Sequence, residues 1–146
     1  MKCPFCSSIE TKVTDKRDSG EEGTTRRRRE CLKCERRFTT YERPEIEIIV
    51  IKKDGRREAY DREKIKTGII KACQKRPISH DKIEKTIDVI EEKLRKKGKE
   101  VDSKVIGELV VKTLKKLDKV AYIRFASVYL NFQDLNDFKS VMKQVA

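Results

Sequence analysis

Four cysteines in two short pairs are the residues of this chain whose type and spacing point most directly to chemistry. Cys3-Pro4-Phe5-Cys6 and Cys31-Leu32-Lys33-Cys34 are both CxxC, with 24 residues between them. A CxxC forms a tight knuckle whose backbone N–H groups point at the sulfurs. Four thiolates fill the tetrahedral shell of Zn2+ and leave no open position, so the site is structural rather than catalytic. Disulfides are the other use of such pairs, but two CxxC in a chain of this kind read as a metal site. The long gap favours a zinc ribbon over a finger with a recognition helix.

Two basic clusters are the next candidates. Arg26-Arg27-Arg28-Arg29 precedes Cys31. Guanidinium groups match phosphate oxygens, and the O6/N7 edge of guanine, by paired hydrogen bonds. On a strand, Arg26 and Arg28 face one side and Arg27 and Arg29 the other. With Lys12, Lys16, Arg17, Arg36 and Arg37 near in sequence, the run points to nucleic acid; the alternative is a solvated charged edge that discourages aggregation. The second cluster surrounds a tight turn, Ile51-Lys52-Lys53-Asp54-Gly55-Arg56-Arg57-Glu58, with Lys64 beyond. Its ammonium and guanidinium groups suit a polyphosphate. An ordinary charged hairpin fits the same residues.

Catalysis has no positive sign. There is no GxxxxGK[ST] and no GxGxxG, and no nucleophile lies beside a base. His80, the one histidine, follows a helix cap and is expected at the surface. Cys73 falls on an apolar helical face, and Glu91-Glu92 reads as solvated surface.

The elements that must position these groups follow from local signals. Lys12–Arg17, Arg26–Leu32 and Arg37–Tyr41 read as strands, with a turn over Asp18–Gly23. Arg43-Pro44 marks a boundary. Ile46–Ile51 and Arg56–Tyr60 read as a hairpin closed by Asp54-Gly55 in a two-residue type I′ turn. Helices follow: one capped by Asp61, one by Ser79 and closed by Gly98, one starting at Asp102 or Ser103, one capped by Asp118, and one over Asp134–Val145. The expected fold is α+β, a small four-cysteine zinc ribbon followed by a mainly helical domain led by a β-hairpin. The expected boundaries are 1–45, 46–140, and 141–146 as the tail of the last helix.

Composition sets the expected partner class. Net charge is +12, from 37 basic and 25 acidic residues, which favours polyanions. The excess is uneven: residues 1–45 hold 12 basic and 9 acidic side chains, and residues 46–146 hold 25 and 16. Four thiolates around Zn2+ reduce the first excess further. No apolar run is long enough to span a membrane, and cysteines stand where a leader's apolar stretch would be. The expectation is a cytoplasmic protein with reduced thiols and no membrane partner.

The motifs CPFC, RRRREC, RRFTTYE, KKDGRRE, ACQKRPIS, IGELV and LDKVAYIRFASVY occur here in the order that resembles the NrdR family, bacterial repressors of ribonucleotide reductase genes. The resemblance covers essentially the whole chain. It implies a zinc ribbon that binds double-stranded promoter DNA at paired operator boxes, followed by an ATP-cone whose ATP or dATP sets a homo-oligomeric state. Cys3, Cys6, Cys31 and Cys34 match the zinc ligands. Arg26, Arg27, Arg28 and Arg29 lie in the ribbon motif it associates with DNA, and with the nearby Lys12, Arg17 and Arg37 they make the expected DNA-binding set. Lys52, Lys53, Glu58 and Lys64 resemble the cone positions that hold nucleotide phosphates and adenine, with Tyr122 and Tyr129 from the VAYIRFASVY segment as further pocket candidates; Ile51 and Arg57 of the charged turn complete the expected nucleotide set. Ser7-Ser8 departs from the glycine that many members carry after CPFC. A general zinc-ribbon nucleic-acid or protein-docking module, and a detached regulatory piece of an enzyme, are the competing readings.

Overall fold

The computed structural model describes residues 1–20 and 23–145. Glu21 and Glu22 of the expected turn, and Ala146 of the expected tail, lie outside the described residues. The chain divides into two compact units, Met1–Glu45 and Ile46–Ala146.

Unit 1 is a three-stranded antiparallel sheet in the order β1-β2-β3, with β1 Thr11–Ser19, β2 Thr24–Cys31 and β3 Arg37–Glu42. Among the described residues of this unit only Cys3, Thr24 and Cys31 are buried. No apolar core holds the sheet, so its stability must come from the cysteine end. The arginine run is the central strand, flanked on both sides. It is not an edge, which removes the edge-protection alternative.

Unit 2 begins with β4 Ile49–Ile51 and β5 Arg57–Ala59, then α1 Arg62–Ala72 and α2 His80–Lys97. A short strand, β6 Glu100–Asp102, leads into α3 Ser103–Leu117, α4 Lys119–Tyr129 and α5 Leu135–Val145. The caps form as their residue types dictate. Asp61 accepts from Glu63 N, Ser79 from Lys82 N and Asp118 from Ala121 N. Helix α2 carries Ile83, Ile87, Ile90 and Leu94 into the core, where Ile69 and Leu114 are also fully buried. Burying such a side chain contributes about 1.5–3 kcal/mol. Cys73 is buried in this core, and His80 is exposed.

Three expectations need correction. The hairpin turn is a three-residue loop, since Lys52 N donates to Arg56 O and Gly55 N to Lys52 O. Gly55 takes φ +85° while Asp54 keeps a negative φ. A type I′ turn needs positive φ at both central residues. Asp54 instead accepts from the Arg56 N–H at 3.0 Å, and that hydrogen bond holds it in the ordinary region. Second, strand β6 was not expected; it pairs parallel to β4, Val50 opposite Val101. Third, Glu91 is buried in an ion-pair cluster with Arg62, not solvated. Its neighbour Glu92 pairs with Lys96 at 3.0 Å.

Candidate functional site

The four paired cysteines converge. Their sulfurs all lie within 4.8 Å of one another, with Cys3 to Cys34 at 3.7 Å and Cys6 to Cys31 at 3.5 Å. A tetrahedron with Zn–S of about 2.3 Å has edges of about 3.8 Å. A disulfide needs about 2.05 Å. The set therefore fits a four-coordinate soft cation. The knuckles supply the amides this chemistry wants: Phe5 N donates to Cys3 Sγ, and Lys33 N and Cys34 N donate to Cys31 Sγ, each at 3.4 Å. Each knuckle exits through a left-handed residue, Ser7 at φ 64° and Glu35 at φ 62°.

The crowding of the sulfurs also drives the acidities of Cys31 and Cys34 apart. The Cys34 amide draws the Cys31 thiol down to about 6, against its burial and with help from the Lys33 amide. At Cys34 the Arg36 amide favours the thiolate, yet burial and the neighbouring Cys3, Cys31 and Cys6 sulfurs push the thiol up to about 11. One thiolate forms readily and resists the next; a bound dication removes that resistance.

The ribbon's register sorts the basic residues by face. Directly paired residues of antiparallel strands share a face. Arg17 opposes Arg26, which opposes Tyr41; Lys12 opposes Glu30, which opposes Arg37. An irregularity between Val13 and Asp15 keeps Lys12 in step with Arg17. Lys12, Arg17, Arg26, Arg28 and Arg37 thus share one face, against Asp15 and Glu30. Arg27, Arg29 and Lys16 share the other, against Asp18 and Glu42. The central arginines are half-buried and several are held in place. Arg28 donates to Thr39 Oγ1 and Arg29 to Thr40 Oγ1, both at 2.9 Å. Arg27 Nε donates to Glu42 at 2.7 Å.

Unit 2 contains a pocket of about 230 Å3 bounded by β4, β5, α1, α3 and α4. Its lining divides by chemistry. Lys52, Glu58, Asp61 and Lys64 are ionic, while Ile106, Gly107, Val110, Phe125 and Tyr129 supply helix backbone, aliphatic groups and rings. Glu58 lies 3.6 Å from Lys52 Nζ and 3.5 Å from Lys64 Nζ. The Lys64 and Lys52 charges hold its carboxyl below the usual range despite some burial. Tyr129 stacks on Phe125, with centroids 6.2 Å apart, and its hydroxyl donates to Lys104 O at 3.0 Å. The ring lies against Gly107, where any Cβ would collide with it. Tyr60 also lines the pocket. Its hydroxyl is buried near the Glu91 carboxylate without a hydrogen bond of ordinary geometry, which leaves a polar atom to be met.

Of the expected nucleotide set, Lys52, Glu58, Lys64 and Tyr129 come together in this pocket. Ile51, Lys53, Arg57 and Tyr122 are not among its lining residues. Arg57 pairs with Glu100, Lys53 is exposed on the turn, and Tyr122 is 4% exposed within the core. Sequence reasoning missed Tyr60, Asp61, Ser103 and Phe125. Gly107 carried a usable signal, because a glycine inside an apolar helical pattern marks a close approach.

Comparison with known proteins decides the family. Residues 1–42 match the family described as "Transcriptional repressor NrdR-like, N-terminal domain", and residues 48–135 match "ATP cone domain". The transcriptional repressor NrdR of Thermotoga neapolitana is 55% identical over 99% of this chain and 94% of its own length. That of Myxococcus xanthus is 56% identical over 98% and 86%, and that of Petrotoga mobilis 55% over 99% and 98%. The chain belongs to the NrdR family of transcriptional repressors. It joins an NrdR zinc ribbon to an ATP-cone nucleotide-sensing domain, and it is a regulator rather than an enzyme. Structural zinc goes with the four-cysteine cluster, and an adenine nucleotide goes with the cone as regulatory ligand. DNA is the partner of such a repressor. No helix of the described residues is long and apolar enough to cross a membrane.

Proposed function

We propose that this chain represses ribonucleotide reductase genes by binding paired operator boxes through unit 1, with ATP or dATP in unit 2 setting its oligomeric state. Cys3, Cys6, Cys31 and Cys34 hold the zinc. Lys12, Arg17, Arg26, Arg28 and Arg37 contact duplex DNA, mostly at phosphates and with a few arginine contacts to bases. The gathering of these five cations on one face of the ribbon sheet carries the reading. Arg27 and Arg29 on the opposite face act mainly through the strand they brace.

Replacing Arg26 and Arg28 together with Ala lowers operator affinity by about 2–4 kcal/mol, on the scale of about 1–3 kcal/mol per specific arginine contact. Replacing Arg27 and Arg29 together costs less. Fluorescence anisotropy at fixed salt distinguishes the two, and equal losses would remove the face assignment.

In unit 2 the apolar side of the pocket takes the base and ribose, and Lys52 and Lys64 take phosphates. Glu58 bridges both lysines, so an incoming polyphosphate replaces a carboxylate rather than meeting bare cations. Lys64 is 66% exposed, and its replacement by Ala weakens nucleotide binding about tenfold, or 1.4 kcal/mol. Unchanged affinity by calorimetry takes Lys64 out of the site.

The coupling between the two units is thermodynamic. A nucleotide shifts the oligomer only by its differential affinity for the two states. An oligomer that spaces two ribbons to match two boxes gains through effective concentration. Light scattering after size exclusion, in ATP, dATP and no nucleotide, each with and without promoter DNA, tests the whole scheme. An oligomeric state indifferent to nucleotide overturns it.

A further inference from the structure

Unit 2 carries nine more basic than acidic residues, from 25 against 16 over residues 46–146. That is more positive charge than one triphosphate balances, and the pocket already pairs its lysines with Glu58. Part of the remainder lines a groove of about 370 Å3 between α2 and α3. Lys82 and Lys85 come from α2 and Lys116 from α3, with Thr86, Val89 and Thr113 between them, and no lining residue is a carboxylate. The two threonine hydroxyls are spent within their own helices. Thr86 donates to Lys82 O and Thr113 to Leu109 O, both at 2.7 Å. The ammonium groups are therefore the polar chemistry this groove offers outward, and all three lysines are exposed. The row continues. Lys93 and Lys112, both exposed, lie on the same helical faces by their spacing. From Lys82 to Lys93 the helix rises about 16 Å, long enough to pass several phosphates of one strand. Lysine is a point charge without the planar fork that reads base edges, so such a row suits backbone contact and carries no sequence preference.

We propose that the α2–α3 lysine groove is a second duplex-DNA contact, which binds the sugar-phosphate backbone and adds affinity without specificity. It rests on the reading that this chain binds DNA. It shares no residue with the nucleotide pocket.

The test uses the full chain, an operator duplex and a scrambled duplex of equal length, titrated over a salt series. The groove variant is Lys82→Gln with Lys85→Gln and Lys116→Gln. A control removes the same charge elsewhere with Lys75→Gln, Lys139→Gln and Lys143→Gln, all exposed positions. For the groove variant, the slope of log affinity against log salt becomes shallower by about 2–3, at about 0.9 per phosphate contact. The change is the same on both duplexes, nucleotide affinity is unchanged, and the control keeps the wild-type slope. A wild-type slope in the groove variant overturns the proposal. So does an equal change in the control, or a loss of ATP affinity, which would make the groove a nucleotide site. If the groove variant keeps its slope while Arg26→Ala with Arg28→Ala loses operator affinity, the groove alone fails. A wild type that binds neither duplex overturns both readings.

Discussion

Replacing Cys31 and Cys34 together with Ser unfolds the ribbon and abolishes operator binding, while the helices of unit 2 persist. The reason is that the described residues of unit 1 bury no apolar core that could hold the sheet without the metal. Its buried residues, among those described, are Cys3, Thr24 and Cys31, and two of these belong to the four-cysteine cluster. Structural Zn2+ contributes about 10–16 kcal/mol of apparent binding free energy in small zinc modules at neutral pH. A three-stranded sheet without an apolar face has nothing to replace it. The loss reaches function through β2. Cys31 is the last residue of that strand, so the same ligand that closes the metal site fixes the register that places Arg26 and Arg28 beside Arg17. Zinc content by atomic absorption, helicity by circular dichroism and operator binding by anisotropy read the three consequences separately. Zinc stoichiometry falls to zero, the helical signal stays near wild type and operator affinity is lost. Full operator binding by the zinc-free variant would sink the structural-metal reading. A strong chelator acting on the wild type gives the same result, and added Zn2+ reverses it.

What could be read from the chain alone was local. The cysteine pairs state their own spacing, and Asp61, Ser79 and Asp118 sit where side-chain acceptors cap helices. Those signals depend on a few neighbouring residues. Long-range pairing was illegible. Strand β6 is three residues long with one apolar member, and its partner β4 lies about fifty residues earlier. The alternation of Arg26 and Arg28 against Arg27 and Arg29 was legible, but the faces taken by Lys12, Arg17 and Arg37 were hidden, because they depend on the pairing register and on the irregularity near Thr14. Tyr122 and Tyr129 share a helical face by spacing, yet two turns separate a core position from a pocket wall. Depth along the helix, not face, made the difference. Glu91, read as solvated surface, misled for a related reason, and Glu84 and Asp88 lie with it. At spacings of four and three they form an acidic stripe on α2, which usually means solvent. Only the position of Arg62, brought in by α1, turns that stripe inward.

That cluster carries the second large effect. Arg62 reaches Glu84 at 2.8 Å and Asp88 at 3.0 Å and also pairs with Glu91. The three carboxylates are 4%, 6% and 7% exposed. Lys66 adds one further cation, 2.6 Å from Glu84. Replacing Arg62 with Met takes away the guanidinium that all three buried carboxylates share and leaves Lys66, and His80 when protonated, beside Glu84; breaking a buried pair in this way costs about 3–5 kcal/mol. Urea denaturation followed by helical circular dichroism measures it, and a loss below about 1 kcal/mol would show that the cluster contributes little. Adding Glu84→Gln and Glu91→Gln to the Arg62→Met chain recovers part of the loss, since the uncompensated charges are then gone. The same cluster sets an acid limit. Burial alone would raise the Glu84 carboxyl, but hydrogen bonds from Lys66 and Arg62 hold it below its ordinary value of 4.5. A depressed folded pKa contributes stability above the unfolded value and loses it as pH falls through the folded one. Unit 2 therefore weakens below about pH 4.5, and Glu84→Gln flattens that part of the profile. The consequence extends to ligand binding. Arg62 directly follows Tyr60 and Asp61, and Lys64 lies on the same first turn of α1; all three line the pocket. The salt-bridged arginine anchors the start of α1 to α2, so it positions Lys64, the residue proposed to take phosphate. Near neutral pH and below the variant's melting temperature, Arg62→Met weakens nucleotide binding although Arg62 is not among the residues that line the site.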